Sequence, residues 1–189
     1  MATNRSKRYR AAVEKVDALD ILINNAGISL QNDLSDRAAL ERLLAVNLFG
    51  TYDVTQAFLP VLTRSRSAIV NVLSLAGLAS VPFSPAYSIS KAAAFSMTQA
   101  LRALLAGSGV SVHAVLAGPV DTDMTRGFEI PKSAPESVAK GILDGLEAKE
   151  EEIFPDPMSQ SLAEGWRNGV AKSLERQYAP FVPAELVKS

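Results

Sequence analysis

The chain has 189 residues, 48% hydrophobic and 21% charged, a balance that supports one domain with a substantial core and argues against disorder. Lys and Arg total 19 against 20 Asp and Glu, a formal net charge of -1, so no global field draws nucleic acid or an anionic membrane. Cysteine is absent, which excludes a thiol nucleophile, a disulfide framework and cysteine metal ligands, and agrees with a reducing, cytoplasmic location.

The opening is basic through Arg5, Lys7, Arg8 and Arg10 but runs into Ala11-Ala12-Val13-Glu14-Lys15 without an apolar signal core. It reads as a surface helix over 9–17, with a basic amphipathic targeting segment as the alternative. Ile21-Leu22-Ile23, closed by Asn24-Asn25-Ala26-Gly27, predicts a buried strand ending in a tight loop. Leu40, Leu43, Leu44, Val46, Leu48 and Phe58 keep helical spacing from about 36 to 63. Residues 67–73 are β-branched and apolar on both faces, as in a parallel strand covered by helices.

A loop of small residues occupies 74–84, and Pro85 opens a helix that reaches about Ala106 and stops at Gly107-Ser108-Gly109. Residues 110–116 make a third strand, followed by Gly118-Pro119 and a polar loop. Ser133-Ala134-Pro135-Glu136 reads as a capping box for a helix to about Leu146. Glu152-Ile153-Phe154 is a weak fourth strand, Pro155 and Pro157 break the chain, and a last helix runs from about Ser159 to Tyr178. No repeat, internal boundary or bilayer-length apolar run interrupts residues 1–189. Strands alternating with helices predict an α/β fold, a three-layer parallel sheet in one domain.

Among polar residues, Ser74, Tyr87 and Lys91 form the informative constellation. Ser74 sits where a strand becomes a loop; Tyr87 and Lys91 are one helical turn apart and share a face. A phenol has a reference pKa of about 10, and a nearby ammonium lowers it toward useful acid–base range. Ser74 is placed to donate to an oxygen on which negative charge develops. The bland reading also stands: Lys91 can snorkel and Tyr87 can pack. Asn24 and Asn25 suit a strand-end turn, and Asn47 is either a buried structural amide or a site residue. His113, the sole histidine, reads as a satisfied core or sheet-face residue, and no Gly-x-Ser-x-Gly elbow supports a hydrolase. Trp166, Tyr178 and Phe181 read as anchors for the last helix or a subunit contact.

Taken together, the motifs closely resemble the short-chain dehydrogenase/reductase family. Asn24-Asn25-Ala26-Gly27 resembles its strand-end motif and Asn47 its helix asparagine. Ser74, thirteen before Tyr87, and Tyr87-Ser88-Ile89-Ser90-Lys91 resemble its catalytic serine and Tyr-x-x-x-Lys pair. Gly118-Pro119-Val120-Asp121-Thr122 resembles the loop at the nicotinamide end, with Ala117 in place of the usual proline.

The resemblance implies a partial Rossmann fold and an oxidoreductase that moves hydride between NAD or NADP and a small carbonyl or alcohol substrate. Tyr87 would exchange a proton with the substrate oxygen, and Ser74 would polarise that oxygen. Lys91 would lower the Tyr87 pKa and hold the nicotinamide ribose, and Asn47 would place a relay water. Asn24, Ala26 and Gly27 would line the coenzyme cleft, while Pro119, Val120 and Thr122 would contact the nicotinamide end. A homodimer or homotetramer is expected through helix faces that include Ala92, Ala93, Ala94, Phe95, Met97 and Ala100, positions that could equally cover the sheet within one subunit, with neither nucleic acid nor membrane as partner.

No glycine-rich phosphate turn precedes Asn24, and twenty-three residues cannot hold the family's opening βαβαβ arrangement, since one crossover unit needs about thirty. The chain is therefore expected to lack that segment and to bind dinucleotide weakly or not at all by itself. A shortened, inactive family member or a non-catalytic scaffold subunit is the alternative to a working enzyme.

Overall fold

In the computed structural model, which describes residue 9, residues 11–183 and residue 186, four short strands form one parallel sheet. They are β1 (Ile21–Asn24), β2 (Ala68–Val72), β3 (Ser111–Val115) and β4 (Glu152–Ile153), adjacent in chain order. Asn24 pairs with Asn71, and Asn71 with Ala114, so the three longer strands end level with one another. Helices cross between them: α1 (Arg37–Asn47), α2 (Phe49–Ser65), α3 (Pro85–Leu105), α4 (Pro135–Glu147), α5 (Pro157–Arg167) and α6 (Val170–Tyr178).

The side-chain period of two along each strand feeds two cores. Ile69, Val112 and Ala114 pack under α2 and α3, with α5 joining through Ala163. Val70, Val115 and Ile153 face the other way, against Ile142 and Leu146 of α4. This is the three-layer parallel α/β arrangement expected from the alternation of elements. β1 lies at one edge, where Ile21 and Ile23 are 36% and 49% exposed.

Several boundaries differ from the sequence expectation. Residues 9 and 11–13 are helical, but the chain turns at Glu14-Lys15, short of 17; the rest of the basic opening lies outside the described residues. The helix expected over 36–63 is two, with a corner at Leu48. Both helices bury their apolar stripes on neighbouring parts of one body, so the hydrophobic period runs through the corner without marking it. The last helix is also two. Asn168 and Gly169, both poor helix formers, close α5 and start α6.

Pro157 opens α5 rather than breaking the chain, under a capping box made by Asp156 and Ser159. No capping box forms at α4, whose N-cap is Ala134. Ser133 instead bridges to Val120, its N–H donating to the Pro119 carbonyl at 3.0 Å. No helix among the described residues is long and apolar enough to cross a membrane.

Candidate active site

The carboxyl ends of β1, β2 and β3 lie side by side, the place where open α/β sheets gather ligand-binding groups. The β2–β3 ladder continues beyond the strands themselves. Leu73 N–H donates to Val115 O at 2.9 Å, and Leu75 N–H to Ala117 O at 3.0 Å. Ser74 is held between those two bonds in extended backbone, and its Oγ accepts from the Ala76 N–H at 3.1 Å. The turn that follows lies directly on α3. A Cβ at Gly77 would stand 3.1 Å from the Lys91 carbonyl carbon and oxygen, so a residue without a side chain lets the serine loop approach.

Pro85 occupies the first turn of α3, and buried Ser84 ties the helix start to the β1 loop by donating to Leu30 O at 2.8 Å. One turn further in, Tyr87 and Lys91 share a face, with the Lys91 ammonium 5.7 Å from the Tyr87 ring centroid. Lys91 is 5% exposed and donates to the Val72 carbonyl at 2.9 Å. Burial lowers its pKa from 10.5 to about 8. Burial pushes the Tyr87 phenol up, and the neighbouring Ser74 hydroxyl offsets part of that rise. Lys91 stands over the ring face and does not enter that balance, unlike the depression expected from the sequence.

Asn47, the last residue of α1, is buried. Its Oδ1 accepts from Ile28 N–H at 2.9 Å, while Nδ2 donates to Ile28 O at 2.9 Å and Ser90 Oγ at 2.8 Å. The amide therefore pins the loop after β1 to α3 and keeps one lone pair free. Gly27 lies beside it: a Cβ there would be 3.4 Å from Asn47 Oδ1 and 3.5 Å from Lys91 Nζ. The other two N–H donors of that ammonium have no acceptor among the described residues.

Asn24 faces inward. Its Nδ2 donates to Thr55 Oγ1 at 3.1 Å and Asn71 Oδ1 at 2.8 Å, and Asn71 donates on to Thr98 Oγ1 at 2.9 Å. Ala26 is exposed at the cleft rim. Pro119, Val120 and Thr122 follow β3 on the other side, and Thr122 caps a short turn with Thr125. The structure brings Gly27, Asn47 and Lys91 together, and Ser74 and Lys91 to Tyr87, while Pro119, Val120 and Thr122 lie in the loop after β3. His113 is buried between Glu150 O and Ser111 Oγ, a satisfied sheet residue as expected. Trp166 packs edge-on against Phe95, whereas Tyr178 and Phe181 are exposed and anchor little.

A groove of about 920 Å³ lies between α3 and the C-terminal helices and contains none of Ser74, Tyr87 or Lys91. A crevice of about 330 Å³ follows the β1 end past Asn24, Asn25 and Ala26.

The family model described as short chain dehydrogenase matches residues 2–132. The chain belongs to the short chain dehydrogenase family. It is 34% identical over 169 residues to the ketoacyl reductase HetN of a Nostoc species, covering 83% of this chain and 59% of that protein. It is 36% identical over 145 residues to the 3-oxoacyl-[acyl-carrier-protein] reductase FabG of Thermotoga maritima, covering 75% and 58%. The chain thus spans under two thirds of the length of these curated relatives. A short chain dehydrogenase from Burkholderia cenocepacia, solved in complex with NADP, superposes with a TM-score of 0.81 at 35% identity, covering 91% of this chain and 73% of that one.

In this short chain dehydrogenase the sequence reading missed several supporting residues. Asn71, Thr98, Thr55 and Ser90 form the polar bracing beneath the site, and Asp156 holds Gly118 from behind. A polar residue inside an apolar strand was the available signal for Asn71. None existed for the rest.

Proposed function

We propose that this chain carries the catalytic centre of an NAD(P)-dependent oxidoreductase acting on a small carbonyl or alcohol. One observation carries the reading: the Ser74 hydroxyl neighbours the Tyr87 phenol, and the Lys91 ammonium lies 5.7 Å from the Tyr87 ring centroid. Lys91 would hold the nicotinamide ribose of NAD or NADP beside Gly27, and Pro119, Val120 and Thr122 would border the ring. When bound, the coenzyme supplies or accepts the hydride.

In the reducing direction, Ser74 donates a hydrogen bond to the substrate carbonyl oxygen. Tyr87, kept protonated by its burial, gives its proton to that oxygen as charge develops there. Ser74 then donates to the phenolate until a proton returns from solvent. Asn47 keeps the cleft loop in place, and the remaining lone pair of its Oδ1 can accept from a water. In the oxidising direction the same groups run in reverse.

A ketoacyl thioester is the first substrate to test, because the curated relatives named above reduce ketoacyl groups. The test is coenzyme oxidation by the purified chain at millimolar NADPH and NADH, with a ketoacyl thioester and simple ketones. Turnover abolished by Tyr87→Phe supports the reading; turnover unchanged by it refutes the role of Tyr87. Of the helix face expected at an interface, Ala94 and Phe95 are instead buried in the core against the sheet. The homodimer or homotetramer we further propose would therefore use the exposed Ala92 and Ala100, with Phe49, Tyr52 and Ile89 beside them on α2 and α3. Light scattering at micromolar concentration tests this, and a monomer there refutes it. The same reading places the protein in the cytoplasm, which fractionation of the source cells tests.

A further inference from the structure

Asp156 is 2% exposed and forms no ion pair among the described residues, so its carboxylate depends entirely on hydrogen-bond donors. It has them on two sides. Oδ1 accepts from Ser159 N–H at 3.0 Å, which caps α5, and Oδ2 accepts from Ser159 Oγ at 2.8 Å. Oδ2 also accepts from the Gly118 N–H at 2.8 Å, a backbone group 38 positions earlier in the chain. The fit around Gly118 is close: a Cβ there would stand 2.7 Å from Asp156 Oδ1 and 3.3 Å from Met158 Cβ. Gly118 is the first residue after the Leu75–Ala117 bond that ends the β2–β3 ladder. The anchor therefore sits between the frame that fixes Ser74 and the stretch from Pro119 to Thr122.

We infer that Asp156 is a positioning residue for the nicotinamide subsite, holding the Gly118–Pro119–Val120 backbone in register with Ser74 from the far side of the loop. The inference rests on the coenzyme reading above and adds a residue that touches neither coenzyme nor substrate. A carboxylate suits the task because both oxygens accept. Oδ1 meets the helix start and Oδ2 accepts from both Ser159 and the loop, so the start of α5 and the coenzyme loop move as one body.

Capping and anchoring are separable by mutation. Serine is as good an N-cap as aspartate, but its single oxygen, one bond shorter, cannot also reach Gly118. Asp156→Ser should keep α5 and release the loop. Ser159→Ala should weaken the cap and leave the Gly118 bond intact. Gly118→Ala presses on the carboxylate from the other side and serves if Asp156→Ser does not fold.

The experiment is amide NMR on the full 189-residue chain, titrated with reduced nicotinamide mononucleotide, a probe that lacks the adenylate half. In Asp156→Ser the Gly118 amide should exchange about a hundredfold faster. Mononucleotide shifts at Val120 and Thr122 should then need about tenfold more ligand, while Ser159→Ala keeps the wild-type titration. A Gly118 amide that stays protected in Asp156→Ser overturns the anchor. Equal weakening in Asp156→Ser and Ser159→Ala overturns the positioning role and leaves only helix stability. If the wild-type chain shows no mononucleotide shifts at millimolar probe, the coenzyme reading itself falls, while Gly118 exchange still decides the anchor.

Discussion

Lys91 donates to the Val72 carbonyl at 2.9 Å while standing 5.7 Å from the centroid of the Tyr87 ring, so the ammonium is held by β2 rather than by the phenol. The helix face and the sheet end are thereby fixed to each other independently of the Tyr87 hydroxyl. Replacing that hydroxyl should leave the framework alone. Tyr87→Phe is expected to lower carbonyl reduction by about a hundredfold or more. Its thermal midpoint should stay within a few degrees of wild type, as followed by circular dichroism.

Lys91 also gives the protein a pH-dependent stability. Its folded pKa of about 8 lies below its ordinary value of 10.5, so between those values the unfolded chain binds more protons. Stability from this group therefore rises with pH across that window and is lowest below it. Urea melts of wild type and Lys91→Met, compared at pH 7 and pH 10, should show the wild type gaining about 2 kcal/mol relative to the variant. The comparison stops at pH 10 because Tyr87, raised by burial, works in the opposite direction above it. No relative gain would show that Lys91 is better solvated than its surroundings imply.

The Asn24–Asn71–Thr98 chain makes a prediction about coupling. Thr98→Val strips the acceptor from Asn71 Nδ2 in a fully buried setting and should cost about 1–3 kcal/mol. Asn71→Leu should cost more, because Asn24 loses a partner as well. The double variant should be less destabilised than the sum, since both changes break one shared bond. Strict additivity in urea denaturation would mean that the two side chains do not act together.

Lys172 tests a different part of the molecule. It is 2% exposed and meets Glu151 at 2.7 Å, Glu152 at 2.9 Å and Glu175 at 3.0 Å, joining α6 to the β4 region. Arg102 of α3 reaches Glu152 at 2.9 Å and also pairs with Glu175. Lys172→Met leaves Arg102 as the principal cation among these carboxylates and should cost about 3–5 kcal/mol. Glu151 is half-exposed, so Glu151→Gln should change stability by about 1 kcal/mol or less. Similar costs for both would refute the inside–outside distinction.

The outward side of β1 bears on affinity. Ile21 and Ile23 are open there, and the crevice beside the strand is about 330 Å³, against the larger surface a dinucleotide covers. For the 189-residue chain, NADPH should bind within about tenfold of reduced nicotinamide mononucleotide. Calorimetry that shows NADPH much tighter would reveal an adenylate-binding element within these residues.

Much of the sheet was legible because β2 and β3 are apolar on both faces and end at small or polar residues. The helix corners were not. Leu48 keeps the apolar period across its turn, and the Gly169 break looks like one more tolerated glycine. Of the site, Ser74, Tyr87 and Lys91 were legible by spacing, since one loop and one helical turn set their relation. The bracing was hidden for a simple reason. Asn71 and Thr98 are 27 positions apart, and Gly118 and Asp156 are 38 apart. Such pairs exist only after the sheet has formed, and no local pattern encodes them.

The ladder that runs on to Leu75 and Ala117, with the Val120–Ser133 bridge just beyond, divides the surface around Tyr87 into a fixed part and an exchangeable part. The stretch from Leu116 to Gly118 is held by the sheet end and by Asp156, whereas residues 121–132 leave and return through one closed neck and meet the rim through the Phe83–Phe128 contact. The segment is a cassette. Beyond the Thr122–Thr125 turn, its length and composition can be rewritten to admit bulkier or more polar molecules while Ser74, Tyr87, Lys91 and Thr122 keep their places, so molecular preference and chemical competence can evolve on separate schedules.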